Sequence, residues 1–157
     1  MIAASVPSGG YDPMPKGLVF YAPGNGGYSD RRLDEKRYLI SVHTGANTPF
    51  QRIKDIALTR ASERTLELKN KFFKLGPARL KLECLGSRVG TATNIASGRP
   101  TYELEIELAG NKPGHNLIDA EKTFQKLRPT FDVQPSTEEK VKAMGFYRHR
   151  CMTQQTN

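Results

Sequence analysis

The residues with the clearest chemical use are cations interleaved with aromatics. Lys69, Lys71, Phe72, Phe73 and Lys74 set three ammonium groups among two phenyl rings. Such a mixture can neutralise phosphates while bases stack on the rings. The segment Phe146, Tyr147, Arg148, His149, Arg150 repeats the theme. Read as a strand, it turns Phe146, Arg148 and Arg150 to one face and Tyr147, His149 and Cys151 to the other. The residues expected to hold a nucleic acid or an acidic partner are therefore Lys69, Lys71, Phe73, Lys74, Arg148 and Arg150. The plain competing reading puts Phe72, Phe73 and Phe146 in a core, with basic side chains reaching past them at its rim.

Other chemistries find less to stand on. The soft ligands are His43, Cys84, His115, His149 and Cys151, and only His149 and Cys151 are close in sequence. A structural zinc site wants two local ligand pairs, so no metal and no cofactor is expected. Cys84 falls on the apolar side of an alternating run, where a reduced cysteine behaves as a small hydrophobe. A Cys–His pair could be assembled in space from Cys84 and His115, but no G-x-S-x-G or similar nucleophile motif is present. Glu103, Glu105 and Glu107 are spaced to share one strand face. Cross-strand pairing with Arg79 and Lys81 explains them better than acid–base catalysis, which would need burial. Gly24-Asn25-Gly26-Gly27 lacks the strand-to-helix turn and the Lys-Ser/Thr of a phosphate loop. A small enzyme built around His43, His115 and the glutamates is the third-ranked reading, and no catalytic residue is assigned.

Charge points the same way as the cation–aromatic runs. The chain carries 24 Lys and Arg against 16 Asp and Glu, a formal +8. Residues 1–30 hold only Asp12, Lys16 and Asp30, so residues 31–157 carry a net +9. An excess of this size favours a polyanion or an acidic surface. No apolar run is long enough for a membrane span. The N-terminal residues lack the basic and apolar regions of a secretory signal, and two cysteines make no disulfide scaffold. The expected compartment is cytoplasmic, with reduced cysteines and no membrane partner.

These side chains need elements to position them. Residues 1–30 include six Gly and four Pro and read as an extended arm, with LVFYA (Leu18 to Ala22) its one strand-like run. Leu18, Phe20 and Tyr21 are its expected contact residues. Residues 31–152 read as a single basic α+β domain, and 153–157 as a polar tail. Arg31 to Arg37 is a solvated turn or short helix, and Tyr38 to Val42 a strand. Thr48-Pro49-Phe50-Gln51 has the form of a capping box with Pro at the first helical position. Phe50, Ile53, Ile56, Ala57 and Ala61 then give an apolar stripe, so the spacing predicts a helix over 49–62. Leu66/Leu68, Ala78/Leu80/Leu82/Cys84 and Tyr102/Leu104/Ile106/Leu108 alternate with polar residues, as half-buried strands do. Turns are expected at Leu85-Gly86-Ser87 and Ser97-Gly98-Arg99-Pro100, with a strand over Arg88 to Ile95 between them. A second helix is expected over Leu117 to Leu127, ending before Pro129, then a short strand over Thr130 to Val133. Ser136-Thr137-Glu138-Glu139 is a second capping box, Gly145 a helix stop, and Phe146 to Met152 a last strand.

The fold expected is α+β: an antiparallel sheet of about five or six strands with two or three helices packed on one face, plus the arm. Its core should include Tyr38, Ile40, Phe50, Ile53, Ala57, Leu80, Leu82, Leu104, Ile106, Phe124, Leu127 and Val141. The leading functional reading is a non-enzymatic basic protein that contacts RNA or DNA through its Lys/Arg–aromatic clusters. The alternative is a structural linker of a large assembly, its arm threading along acidic neighbouring subunits. Phage structural proteins and phycobilisome linkers are built in this style. Thr101 to Met152, in the order strand, strand, helix, strand, is loosely similar to the small C-terminal domain of phycobilisome linkers, with no motif shared.

Overall fold

The computed structural model describes Tyr11 and residues 26–89 and 92–154, without the side chains of 87–89 and 92–96. The elements are β1 (Gly27–Arg32), β2 (Arg37–His43), α1 (Phe50–Glu67), β3 (Phe72–Val89), β4 (Ala92–Leu108), β5 (Ile118–Asp119), α2 (Ala120–Leu127), a 3-10 turn (Arg128–Asp132) and α3 (Thr137–Gln154). The five strands form one antiparallel sheet in the order β1-β2-β4-β3-β5. The α+β expectation is therefore met.

Strict alternation makes one sheet face apolar. Tyr38, Ile40 and Val42 of β2 lie opposite Ile106, Leu104 and Tyr102 of β4. With Phe73 they meet Ile53, Ile56, Ala57 and Ala61 of α1, and Ala143 and Tyr147 of α3. Burying these side chains contributes on the order of 1.5–3 kcal/mol for each large one. The opposite face is open and charged. There Arg79 and Lys81 of β3 pair with Glu103, and Arg37 of β2 pairs with Glu105 at 2.8 Å. This is the cross-strand pairing that the glutamate spacing suggested.

Helix α1 starts one residue later than expected. Pro49 is its N-cap, with no side-chain cap bond, and its carbonyl accepts from the Ile53 amide. The helix also runs on to Glu67, so Leu66 and Leu68 belong to its end and not to a strand. Its buried side carries Thr59, Ser62 and Thr65, whose hydroxyls donate to the carbonyls four residues back. Those bonds satisfy polar groups that burial would otherwise penalise. Lys69 then adopts φ 63°, and the Asn70 amide donates to Thr65 while the Lys69 amide donates to Leu66. That is the Schellman stop, here built without glycine.

Several local expectations are corrected. Gly27–Asp30, assigned to the arm, form the edge strand β1. Arg31 to Arg37 is the β1–β2 hairpin, whose turn is fixed by Asp34. The Asp34 carboxylate accepts from Arg37 Nε and from the Lys36 and Arg37 amides, which holds its pKa at about 2. The expected turns at 85–87 and 97–100 do not exist, because β3 and β4 run through them as one long hairpin. Gly86 marks a register shift after Leu85 rather than a turn. Pro100 lies one residue past the last β2–β4 pair, where its missing N–H costs no ladder bond. Residues 130–132 close the 3-10 turn and Val133 caps it, so no strand forms there.

The largest correction concerns the C-terminus. The capping box forms: Glu139 N–H donates to Ser136 Oγ at 3.1 Å, and Ser136 N–H donates to Glu139 Oε1 at 3.2 Å. The helix it starts continues through Gly145 to Gln154, so 146–152 is no strand and 153–154 no tail. Ala143, Tyr147 and Cys151 recur at every fourth residue and are all buried. Their packing outweighs the roughly 1 kcal/mol that an interior glycine costs a helix. The order strand, strand, helix, strand over 101–152 is thereby lost, and with it the basis of the linker likeness. Val141 lies on the outer side of α3 and is 62% exposed, not core. Phe50, Leu80, Leu82, Phe124 and Leu127 are half-buried.

The cysteines are not reduced. Cys84 of β3 and Cys151 of α3 form a disulfide across 67 residues of sequence. Gly98, opposite Cys84 in β4, makes room for it: a Cβ there would lie 2.7 Å from Cys151 Sγ. Disulfides persist in oxidising compartments, so the cysteine argument for a cytoplasmic location falls. Among the described residues no helix is long and apolar enough to cross a membrane.

Candidate nucleic-acid interface

The six residues singled out from sequence do not come together. Phe73 is fully buried and cannot stack on a base. Lys71 and Lys74 are exposed at the start of β3, with Lys69 just before it at the end of α1. Arg148 and Arg150 are exposed on α3, whose Cys151 is bonded to Cys84. Cys84 is twelve residues along β3 from Phe72, roughly 40 Å at strand rise. The arm residues Leu18, Phe20 and Tyr21 lie outside the described residues.

A different cation–aromatic cluster forms where α1 begins and α3 passes. The Phe50 and Phe146 rings stack at 5.9 Å with 24° between planes. Each ring carries a cation from four residues on: Lys54 Nζ lies 4.9 Å from the Phe50 centroid and the Arg150 guanidinium 5.5 Å from that of Phe146. Both contacts follow from helical spacing, which sets residues i and i+4 on one side. Neither cation forms an ion pair among the described residues. Lys142 stands one turn before Phe146 and reaches Glu138 at 3.2 Å, with both side chains almost fully exposed.

The rings are held from behind. Tyr102 of β4 meets Phe50 edge-on at 5.8 Å, and Tyr147 meets Phe146 edge-on at 5.3 Å. The Tyr147 hydroxyl donates to the Thr48 carbonyl at 2.7 Å, fixing α3 to the loop before α1. Burial pushes the Tyr147 and Tyr102 hydroxyls up. The front of the cluster is an apolar cleft of about 310 Å³ lined by Pro49, Phe50, Glu139, Lys142, Ala143 and Phe146. Phe146 is 41% exposed there. Of the expected residues, only Arg150 belongs to this site. Phe50, Lys54 and Lys142 are not among the expected residues, because the sequence pattern puts Phe50 in the core and Phe146 on a strand. The i, i+4 pair Phe50/Lys54 is a signal within the expected helix, and Lys142/Phe146 and Phe146/Arg150 are the signal in a helical reading of 137–154.

The other polar features have local explanations. Glu103 and Glu105 are held by cations, and the Lys81 hydrogen bond keeps the Glu103 carboxyl below the usual carboxylate range. That is the opposite of what a proton donor needs. His43 Nδ1 lies 2.9 Å from Thr101 Oγ1, and burial lowers its pKa. His115 is exposed in the loop before β5. Among the described residues no group of three or more His, Cys, Asp or Glu could hold a metal ion. No protein family, characterised protein or solved structure matches this chain.

Proposed function

We propose that the chain is a non-enzymatic nucleic-acid-binding protein that takes single-stranded RNA or DNA at the α1–α3 cluster. One observation carries this reading: the exposed Phe146 ring stacks on the half-buried Phe50 at the mouth of an apolar cleft, with Lys54, Lys142 and Arg150 around them. Bases stack on such rings whatever their identity, and the cations can neutralise phosphates on either side, Lys142 by exchanging its weak, exposed pair with Glu138. The net +8 of the chain strengthens the encounter. Nothing in the cleft presents a directed set of donors and acceptors to a base edge, so binding is sequence-tolerant.

The test is fluorescence anisotropy of a labelled fifteen-nucleotide oligo-dT, titrated with the full chain at several salt concentrations. Three neutralised phosphates give a slope of log K on log salt of about −2. Phe146→Ala is expected to weaken binding about tenfold, since a base–aromatic stack contributes roughly 1–3 kcal/mol. Binding that ignores salt, or a Phe146→Ala protein that binds like the wild type, overturns the proposal.

A further inference from the structure

Among the described residues, one edge of the sheet is long and uncovered. β5 pairs with β3 only at Phe72 and Phe73, and beyond them β3 pairs only with β4 among the described residues. Residues 74–86 make no backbone hydrogen bond outside that ladder. A bulge between Leu75 and Ala78, containing Pro77, blunts the first part of the edge. From Ala78 to Leu85 the edge is regular, eight residues or about 26 Å, and alternate residues turn amides and carbonyls outward that have no backbone partner among the described residues. Such an edge is a template for another strand.

The side chains along it select the strand. On the open face lie Arg79, Lys81 and Glu83; on the helix-covered face lie Leu80, Leu82 and Cys84. Glu83 is exposed opposite Arg99 of β4, while Lys81 reaches Glu103 of β4 from an equally exposed position. When two copies of this edge meet antiparallel about a two-fold axis at Leu82, Lys81 of each faces Glu83 of the other. Leu82 then meets Leu82, Leu80 meets the half-buried Cys84, and Arg79 meets Leu85, which is 37% exposed. Moving the axis one residue sets Lys81 against Lys81 or Glu83 against Glu83, and like charges directly opposite are destabilising. We infer that the chain self-associates through β3, two copies joining edge to edge into one ten-stranded sheet. The contact is isologous and closes as a dimer. It lies on the sheet edge, apart from the α1–α3 cluster, and stands whether or not that cluster binds nucleic acid.

Sedimentation equilibrium of the full chain, from about 1 to 200 μM, reads the mass directly. The wild type is expected to approach twice its 17.5 kDa. Glu83→Lys sets lysine against lysine twice and is expected to raise the dimer dissociation constant at least tenfold. Adding Lys81→Glu to Glu83→Lys gives up the Lys81–Glu103 pair within each copy but restores both opposite-charge contacts between copies, and is expected to bring the constant back to within about threefold. Circular dichroism on each variant shows that the monomer remains folded, as exposed positions allow. A wild type that stays monomeric, a Glu83→Lys protein that dimerises unchanged, or a double variant that fails to recover overturns the inference.

Discussion

At its C-terminal end α1 carries Arg60 and Arg64, which face Tyr28 and Tyr38 and meet Asp30, Glu63 and Glu67. At its N-terminal end it carries Phe50 and Lys54, which face Phe146 and Arg150 of α3. Residue types are nearly the same at the two ends, but the uses differ. Arg60 is nearly buried; it donates to Asp30 at 2.9 Å and Glu67 at 3.0 Å, and also to Glu63. Its guanidinium lies 4.9 Å from the Tyr28 centroid. The Arg64 Nε–Asp30 contact at 3.1 Å is an ion pair without hydrogen-bond alignment. Two cations meet three carboxylates, and the cluster spends its charge internally, tying α1 to the edge strand β1. Tyr11 packs onto the same region, 4.8 Å from Tyr28 and stacked on Phe131 at 5.5 Å. At the other end Lys54 and Arg150 rest on rings and leave their charge to solvent. An arginine or lysine beside an aromatic therefore says little by itself; whether a carboxylate has already taken its charge decides whether it can serve a ligand.

Variants can pull these two ends apart. The largest expected effect is on the frame that holds α3. Reducing the Cys84–Cys151 bond, or replacing both cysteines with serine, removes closure of a 67-residue loop. The chain-entropy account gives a loss of about 4 kcal/mol, measured by urea denaturation with and without reductant. Arg60→Ala is next. It strands Asp30 and its neighbours without their cation and is expected to cost about 3 kcal/mol, since a broken buried pair leaves an uncompensated charge. Oligo-dT affinity of the folded protein should be unchanged. Phe146→Ala should do the reverse, losing about tenfold in affinity with a stability change of about 1 kcal/mol or less, because the ring is partly exposed. The smallest effects are gains. A Cβ at Gly145 meets nothing within 4 Å, so Gly145→Ala should stabilise α3 by about 0.5–1 kcal/mol. Lys69→Gly, at φ 63°, should add a similar increment by relieving a left-handed residue. Neither should move binding.

The legible parts of the chain were those where local pattern and tertiary packing agree. The alternations Leu80/Leu82 and Leu104/Ile106, the stripe of α1, and the Ser136–Glu139 capping box all announced their elements. Phe146 to Met152 misled because FYRHRCM alternates in type while its buried members, Tyr147 and Cys151, are four apart and helical. Gly86 and Gly98 read as turns because a glycine's reason is spatial: one marks a register shift, the other admits Cys151. The disulfide was beyond local reading, since its partners meet only once α3 lies across β3 and β4. The site followed the same rule. Its cation–aromatic chemistry was visible in composition, but its location depended on α3 being a helix, which moved it from Phe73 to Phe50 and Phe146.

The most direct test of the α1–α3 assignment is a two-dimensional amide NMR titration of the isotope-labelled chain with oligo-dT. The account predicts shifts concentrated at Phe50, Lys54, Lys142, Phe146 and Arg150, with Lys69 to Lys74 and the Arg60 cluster unmoved. Shifts centred on Lys69 to Lys74 or on the open sheet face, or no shifts at all, would contradict it.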